Sequence, residues 1–178
     1  GLIIHQSVVH LVASIKWLER GCVVVFIAGK RKPLVLVGVH GHSSIQAEDT
    51  IAMISKAVQE SCPVPQRDLM VVGDFIIDMK AKFMHDELCN SLDLGIEADL
   101  LQNYAASQGL DVALPSVVSC TPLEDPAFSY IPITRVPTGN LVGRQAPSLI
   151  DYALVSRYLL QDIRAHWEVS DSDHACLV

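Results

Sequence analysis

The sequence predicts a mixed-sheet α/β protein, and three observations support this fold class. Short β-branched runs at residues 22–28 and 34–39 are typical of core strands. Longer stretches place apolar residues at helical spacing. Strand and helix patterns follow one another without strict β-α alternation, which favours a mixed sheet over a doubly wound parallel one.

The bulk properties predict one soluble domain. A chain of 178 residues can bury a substantial core, and no apolar run approaches the roughly 20 residues of a membrane span. The N-terminus lacks a signal-peptide pattern, and the five scattered cysteines form no C-x-x-C pair. We therefore expect an intracellular protein, nuclear or cytoplasmic, without membrane association.

The charge and the chain ends set two further expectations. The net charge of −7 argues against bulk attraction to nucleic acid, although an acidic metal site can present its own positive charge to a phosphate. The basic run 30–32 is interpreted as the tip of a hairpin, with phosphate contact as the less favoured reading. We expect residues 1–178 to be a single domain that is incomplete at its N-terminus, and the apolar run 175–178 suggests the same for the C-terminus.

The first half of the chain predicts a hairpin followed by a helix. Residues 2–4 are a short strand candidate, and residues 29–33 join the runs 22–28 and 34–39. Ser43 and Gln46 can form a capping box for a helix that continues to about Glu60. Its predicted apolar positions are Ala47, Ile51, Ile54 and Val58.

The second half predicts a buried strand at 69–72, which Gly73 ends so that Asp74 projects from it. A helix is expected at 97–108 with Gly109 as its cap, then a strand at 110–114. Residues 80–95 are predicted to be a partly helical connecting segment. The six prolines from residue 115 to residue 147 predict long loops. Strand pattern returns at 149–155 and weakly at 163–169, before the polar turn 170–174.

Five residues at predicted strand ends could carry chemistry. Asp74 and His40 each follow an apolar strand, and Asp151 begins one. Asp173 and His174 are adjacent in an acidic turn, where they could ligate a divalent cation and contact a phosphoryl oxygen. Taken alone, Asp74 is better explained as an ordinary turn residue, and His40 as a structural or exposed histidine.

A serine hydrolase is the rival interpretation. Residues 41–44 follow a strand and open a helix, as a nucleophile elbow does, and Ser43, Asp151 and His174 have the chain order of α/β-hydrolases. Ile45 replaces the second glycine of that motif, however, and no HGGG-type loop precedes it. Asp74 has no role in this interpretation.

Four ordered motifs, LVLVGVHGHS, VVGDFIID, SLIDYALVS and SDSDHACLV, resemble the endonuclease/exonuclease/phosphatase family of metal-dependent phosphodiesterases. Within that family, the helix 97–108, the phrase GLDVALP and the approach to LIDYALVS are similar to the endonuclease domains of non-LTR retroelements. The resemblance implies a four-layer α/β sandwich of two packed mixed sheets flanked by helices, lacking its first strands.

The same resemblance implies Mg²⁺-dependent phosphodiester hydrolysis, with Mn²⁺ as an alternative cation and DNA as the expected substrate. Asp173 would bind the metal, and His174 would contact the scissile phosphate while Asp151 orients it. Asp74 would position or deprotonate the attacking water, and His40 would be a second catalytic histidine. Fusion to a reverse transcriptase is implied for the full gene, while other phosphodiesters stay open as substrates.

Three departures from the family pattern bear on activity. Ile76 stands where the family has an asparagine, and Asp78, two residues on, cannot donate the hydrogen bond of an amide. Gly38 replaces another asparagine, and the strand that carries the family's metal-binding glutamate would lie upstream of Leu2. Three hypotheses therefore stay open: a weakly active or inactive portion of a nuclease, a catalytically dead relic or interaction module, and a serine hydrolase.

Overall fold

The computed structural model describes residues 2–41, 46–63, 66–77, 79, 94–113, 116–117, 150–159, 164–166 and 176–177. Their secondary structure begins with a 3₁₀-helix, and nine strands and two helices follow it in these residues. In chain order these are the 3₁₀-helix Gln6–Leu11, β1 (Val12–Leu18), β2 (Gly21–Phe26), β3 (Leu34–His40), α1 (Ala47–Ser61), β4 (Asp68–Asp74), α2 (Leu94–Ser107), β5 (Leu110–Ala113), β6 (Ser116–Val117), β7 (Asp151–Ser156), β8 (Arg164–His166) and β9 (Cys176–Leu177).

The main sheet has six strands in the order β1-β2-β3-β4-β7-β5. Strands β3 and β4 are parallel, with α1 between them in the chain, and every other neighbouring pair in this sheet is antiparallel. The predicted mixed-sheet α/β class, of the α+β type, is confirmed. A smaller sheet has the order β6-β8-β9, and the four-layer arrangement stays a prediction.

One face of the main sheet, the helix-side face, packs against α1 and α2. Val37 and Val71 on this face are fully buried, and they join Ile54 of α1 and Leu101 of α2 in one core cluster. Because side chains alternate along a strand, their neighbours in sequence point to the opposite face. That face, the site-side face, carries half-buried residues on its central strands, including Met70.

The two predicted strands of the N-terminal hairpin and the strand around Leu69 are confirmed, with ends shifted by one or two residues. The prediction that residues 69–72 are buried on both faces is wrong, because Met70 and Val72 are half-buried. Residues 2–4 are not a strand, and residues 12–18, for which no element was predicted, form the edge strand β1. The basic run 30–32 lies in the connection between β2 and β3.

Both predicted helices form, but each boundary differs from the expected one. Helix α1 begins at Ala47 with Gln46 as its N-cap, and Gln46 makes no side-chain capping bond, so the predicted start is three residues too early. Ser43 itself lies outside the described residues. Helix α2 begins at Leu94 rather than at residue 97, and Gly109 follows it with a φ of 67°, as a helix-ending glycine does.

Much of the second half of the chain lies outside the described residues. This applies to most of the predicted excursion 80–95, to most of the proline-rich stretch 115–147 and to the turn 170–174. No helix in the described part of the chain is long and apolar enough to cross a bilayer.

Candidate active site

Three predicted site residues lie at the same level of three neighbouring strands. His40 is the last residue of β3, Asp74 the last of β4 and Asp151 the first of β7. His40 pairs with Asp74 in the parallel register, and Asp74 pairs with Asp151 in the antiparallel register. Residues paired in this way project on the same face of a sheet, so the fold brings these side chains together at one end of the site-side face.

The three side chains differ in burial. Asp74 and Asp151 are buried, at 8% and 6% exposure, whereas the His40 side chain is 77% exposed. Nδ1 of His40 lies 3.7 Å from Oδ2 of Asp74, a distance that suits an ion pair when the imidazole is protonated but is too long for a hydrogen bond. The arrangement is therefore a recessed pair of carboxylates beside an imidazole that solvent and substrate can reach.

Gly73 allows β3 and β4 to approach closely at the level of the site. A Cβ atom added at Gly73 would lie 2.0 Å from the carbonyl oxygen of Val39, and the φ of Gly73 is 139°. No other residue type fits this position without moving the strands apart. The predicted role of Gly73 at the strand end is thus refined, because the glycine serves the close contact between strands that sets Asp74 beside His40.

The loop after Asp74 is fixed to the carboxylate and to the neighbouring strands. The amide of Ile76 donates to Oδ1 of Asp74 at 2.9 Å, and the amide of Gly41 donates to the Asp74 carbonyl at 2.7 Å. The amide of Phe75 donates to the carbonyl of Ile150 at 2.9 Å. These bonds orient the Asp74 carboxylate and hold the loop against β3 and β7.

Ile76 adopts a left-handed conformation, with a φ of 59°. It is the one non-glycine residue with positive φ in the described chain. A β-branched residue is strained in this region, whereas asparagine tolerates it. The backbone therefore has the conformation that suits the asparagine expected from the family pattern, although the side chain is an alkyl group.

Phe75 and Tyr152 support this loop, and the sequence alone did not assign them a role. Their rings stack with centroids 4.4 Å apart and planes 6° from parallel. The Tyr152 hydroxyl donates to the carbonyl of Ile77 at 3.2 Å, so Tyr152 contacts the loop on both sides of Ile76. The signal in the sequence is weak, since a tyrosine after Asp151 in an apolar strand also fits an ordinary core position.

Gly38, which replaces the second family asparagine, packs against Leu2. A Cβ atom at Gly38 would lie 2.9 Å from Cγ of Leu2, so the leucine side chain occupies the space above this glycine. The polar side chain expected here is thus replaced by an apolar contact with the N-terminal segment. The predicted loss of a polar contact at this position agrees with the geometry.

The remaining predicted site residues lie outside the described part of the chain. Asp173 and His174 belong to this group, as do Asp78 and the Ser43 of the serine-hydrolase interpretation. Their roles therefore stay predictions. Within the described residues, no three His, Cys, Asp or Glu side chains form a group that could hold a metal ion.

The carboxylates of Asp74 and Asp151 are nevertheless the type of ligand that a hard divalent cation prefers. Mg²⁺ prefers oxygen ligands and is commonly bound through one or two carboxylates. Asp74 and Asp151 provide carboxylate oxygens at one sheet end, next to the imidazole of His40. Two like charges opposite each other on neighbouring strands are unfavourable, and a cation nearby would offset that cost.

No protein-family model matches the sequence, and no curated protein matches it. Among solved structures, the endonuclease domain of TRAS1, a telomere-specific non-LTR retrotransposon, is similar with a TM-score of 0.56 and 16% identity. The match covers 92% of this chain and 64% of that chain, so this chain spans less than two thirds of the TRAS1 domain.

Two further solved structures are similar at lower TM-scores. A functionally unknown conserved protein from Enterococcus faecalis V583 matches with a TM-score of 0.48 and 15% identity, over 89% of this chain and 55% of that chain. The Haemophilus ducreyi cytolethal distending toxin matches with a TM-score of 0.43 and 17% identity, over 94% of this chain and 55% of that chain.

The fold comparison and the strand-end residues agree with the ordered motifs of the sequence. The main sheet contains the parallel pair β3–β4, and His40, Asp74 and Asp151 lie at one of its ends. The chain has the endonuclease/exonuclease/phosphatase fold, as the sequence resemblance implied.

Proposed function

We propose that this protein hydrolyses phosphodiester bonds in DNA, with Mg²⁺ as its cofactor and with low activity. The observation that supports this proposal is the register of His40, Asp74 and Asp151, which places an imidazole and two carboxylates at one end of the site-side face. Water-mediated cleavage of a phosphodiester uses groups of this kind, because a base must act on the water and a cation must offset the phosphoryl charge.

In this proposal Asp74 positions the attacking water or accepts its proton. Its carboxylate is oriented by the amide of Ile76, and it is recessed but close to the imidazole of His40. His40 is exposed enough to contact a phosphoryl oxygen and, when protonated, to stabilise the developing negative charge. Asp151 would orient His174, as carboxylates do for catalytic histidines.

Mg²⁺, when bound, would supply charge stabilisation at the phosphoryl oxygens and lower the pKa of a bound water. By resemblance Asp173 would hold it, and the chemistry of Asp74 and Asp151 is compatible with an oxygen-coordinated cation nearby. His174 would contact the scissile phosphate. Mn²⁺ is an alternative because it shares the preference for oxygen ligands.

A catalytically dead relic or interaction module is the second candidate, and Ile76 is the observation that favours it. An alkyl side chain at this left-handed position can donate no hydrogen bond to phosphate or water. The loss of one such donor typically costs about 10²–10³ in rate. We therefore expect slow cleavage, and the complete absence of cleavage would select the relic.

Nicking of supercoiled plasmid DNA tests the proposal. Cleavage should require Mg²⁺ or Mn²⁺ and should fall by about 10²-fold or more in Asp151→Asn. Asp111→Asn is the matched control, since Asp111 is an exposed carboxylate on β5, paired with Val155 at the far end of β7. Equal cleavage with and without a chelator, or equal rates in both variants, would refute the proposal.

A chemical probe separates the serine hydrolase from the nuclease hypotheses. Covalent labelling of Ser43 by a fluorophosphonate probe would favour the serine hydrolase over either nuclease hypothesis.

For the full gene, we propose a reverse transcriptase in the same reading frame. The genomic sequence that follows the codon for residue 178 tests this proposal.

A further inference from the structure

The basic run 30–32 lies at the end of the main sheet opposite the candidate active site. It precedes β3, whose last residue is His40, and Lys32 contacts Tyr158 in the turn after β7. The 7 residues of β3 separate the two ends, which places them roughly 20 Å apart. The proposed cleavage therefore assigns no role to the side chains at this end of the sheet.

The distal surface, formed by Lys30, Arg31, Lys32, Arg157 and Tyr158, is basic, and all of these residues are exposed. Among the described residues, none forms an ion pair with a cation of the run 30–32, while Arg157 is paired with a carboxylate of β5. Four cations lie here in a chain that has 13 Lys and Arg residues and a net charge of −7. The local charge thus opposes the charge of the whole chain, and it attracts a polyanion.

Tyr158 adds an exposed aromatic ring to these cations. The residue is 66% exposed, and Nζ of Lys32 lies 5.9 Å from the ring centroid, at the outer limit of a cation–π contact. The Tyr158 hydroxyl donates to the carboxylate of Asp68, the first residue of β4, and this bond orients the ring. Since the ring is mostly exposed, it contributes little to the core but is accessible to a planar group that could stack on it.

Backbone hydrogen bonds fix both segments of the distal surface. The amide of Arg31 donates to the carbonyl of Ala28 at 3.1 Å and closes the turn that carries the basic run. The amide of Leu159 donates to the carbonyl of Ser156 at 2.8 Å and closes the turn that carries Tyr158. Because these turns are formed by their own bonds, a ligand would lose less binding free energy to the ordering of the chain.

We propose that the distal surface binds single-stranded nucleic acid, with phosphates on the basic run and a base stacked on Tyr158. Cations beside an exposed aromatic ring suit a single strand, because its backbone offers phosphates and every base offers a flat face. An acidic peptide would use the cations alone. The bases of a duplex are stacked on one another and do not reach the ring. This inference does not depend on the proposed cleavage.

Fluorescence anisotropy of labelled probes without divalent cation tests the assignment on the full chain. The probes are oligothymidylate and oligouridylate of about 12 nucleotides, a length that one single-strand-binding domain can cover. A DNA duplex of the same length and an oligoglutamate peptide of the same charge are the comparison probes. Both single strands should bind about 5- to 150-fold more tightly than oligoglutamate, the ratio expected from one stacked base.

Two kinds of variant separate stacking from charge. Tyr158→Leu should lower the affinity for single strands about 5- to 150-fold and leave duplex and oligoglutamate binding unchanged. Tyr158→Phe should retain most of the affinity, because the ring is kept. Lys32→Met should reduce the slope of log affinity against log salt by about 0.7, the contribution of one phosphate contact in a single strand.

Exposed residues elsewhere provide the matched controls. Trp17→Leu removes an aromatic side chain that is 80% exposed on β1, where it pairs with Cys22. Lys56→Met removes a lysine of α1 whose side chain is 77% exposed. Neither change should alter the affinity for single strands by the amounts expected at the distal surface.

Several results would overturn the assignment. Equal affinity for oligoglutamate would indicate an acidic protein partner instead. Unchanged single-strand binding in Tyr158→Leu, an equal loss on the duplex, or equal losses in the controls would show that no base stacks on Tyr158.

The remaining outcomes identify the ligand and separate this inference from the proposed function. A preference for oligouridylate or for oligothymidylate would keep the assignment and identify RNA or single-stranded DNA as the source. Normal plasmid nicking without oligonucleotide binding would remove the distal surface alone. Binding that requires Tyr158, without any nicking, would support the distal surface and count against the proposed nuclease.

Discussion

The two faces of the six-stranded sheet differ in what they contain. On the helix-side face, Val37 and Val71 are fully buried beneath α1 and α2. On the site-side face, Leu36, Met70 and Val72 are half-buried, a smaller buried cluster forms around Ala153 and Val155, and the face ends in His40, Asp74 and Asp151. We infer that the helix-side face supplies most of the stability and that the end of the site-side face supplies the chemistry.

The largest expected effect is a loss of stability on the helix-side face. Leu69→Ala should lower the free energy of unfolding by about 2–5 kcal/mol, because Leu69 is 4% exposed and packs in the main core cluster. Leu36→Ala is the matched change on the site-side face, where the leucine is half-buried, and it should cost roughly half as much or less. Urea denaturation measures both losses of unfolding free energy. The dependence of that free energy on urea concentration should be the same in both variants.

This pair of variants tests directly whether the two faces contribute unequally to stability. Equal losses from Leu69→Ala and Leu36→Ala would show that the site-side face is as much a core as the helix-side face. A larger loss from Leu36→Ala would reverse the division that we infer.

An intermediate effect is expected in the loop after Asp74. Ile76→Asn should raise the free energy of unfolding by about 1 kcal/mol. The left-handed conformation costs a β-branched residue about 1–2 kcal/mol, and the loss of buried apolar surface in the variant offsets part of this gain. The same change also returns an amide to the site, so it should increase the rate of plasmid nicking.

Ile27→Asn is the control for this gain. Ile27 is 46% exposed and does not have a positive φ, so asparagine there relieves no strain. The interpretation of Ile76 fails if the two variants change the thermal midpoint by the same amount, or if Ile76→Asn lowers it.

The smallest effect concerns the attachment of α1 to the edge strand. The ammonium of Lys16 in β1 hydrogen-bonds to the Glu60 carboxylate and holds the pKa of that carboxyl below its ordinary value of 4.5. Both side chains are 43% exposed, so solvent screens the pair and its contribution is small. A lowered pKa stabilises the fold above the ordinary value, and this contribution is lost as the pH falls through the lowered one.

Thermal midpoints across this pH range check the Lys16 contact. Wild type should exceed Glu60→Gln slightly at neutral pH, and the difference should vanish below the folded pKa of Glu60. In a Lys16→Met background the difference should shrink to the contribution of Lys56, which lies 3.9 Å from the other carboxylate oxygen of Glu60. An undiminished difference there would assign it to another cause.

The sequence predicted the strand ends of the site well, because each rests on a local signal. An apolar run followed by Gly73 and Asp74, or a run that ends in His40, marks a strand end within a few residues. The side-by-side position of β4 and β7 could not be deduced locally, since it depends on pairing across about half of the chain. The family resemblance grouped Asp74 and Asp151 in one site, but it did not predict that their strands are neighbours.

Other features of the site had no sequence signal. Ile76 has a left-handed conformation in which its amide donates to the Asp74 carboxylate, whereas its side-chain type alone argues against that conformation. The start of α1 was misplaced because the capping box suggested by Ser43 and Gln46 does not mark the first turn.

The most direct test of the central claim is plasmid nicking by Asp74→Asn, measured with its unfolding free energy and beside Leu69→Ala. We predict that Asp74→Asn lowers the Mg²⁺-dependent rate by about 10²–10⁴-fold while it changes stability far less than Leu69→Ala does. Leu69→Ala should keep the rate per folded molecule. An Asp74→Asn protein that nicks at the wild-type rate, or one that loses activity because it unfolds, would contradict the account.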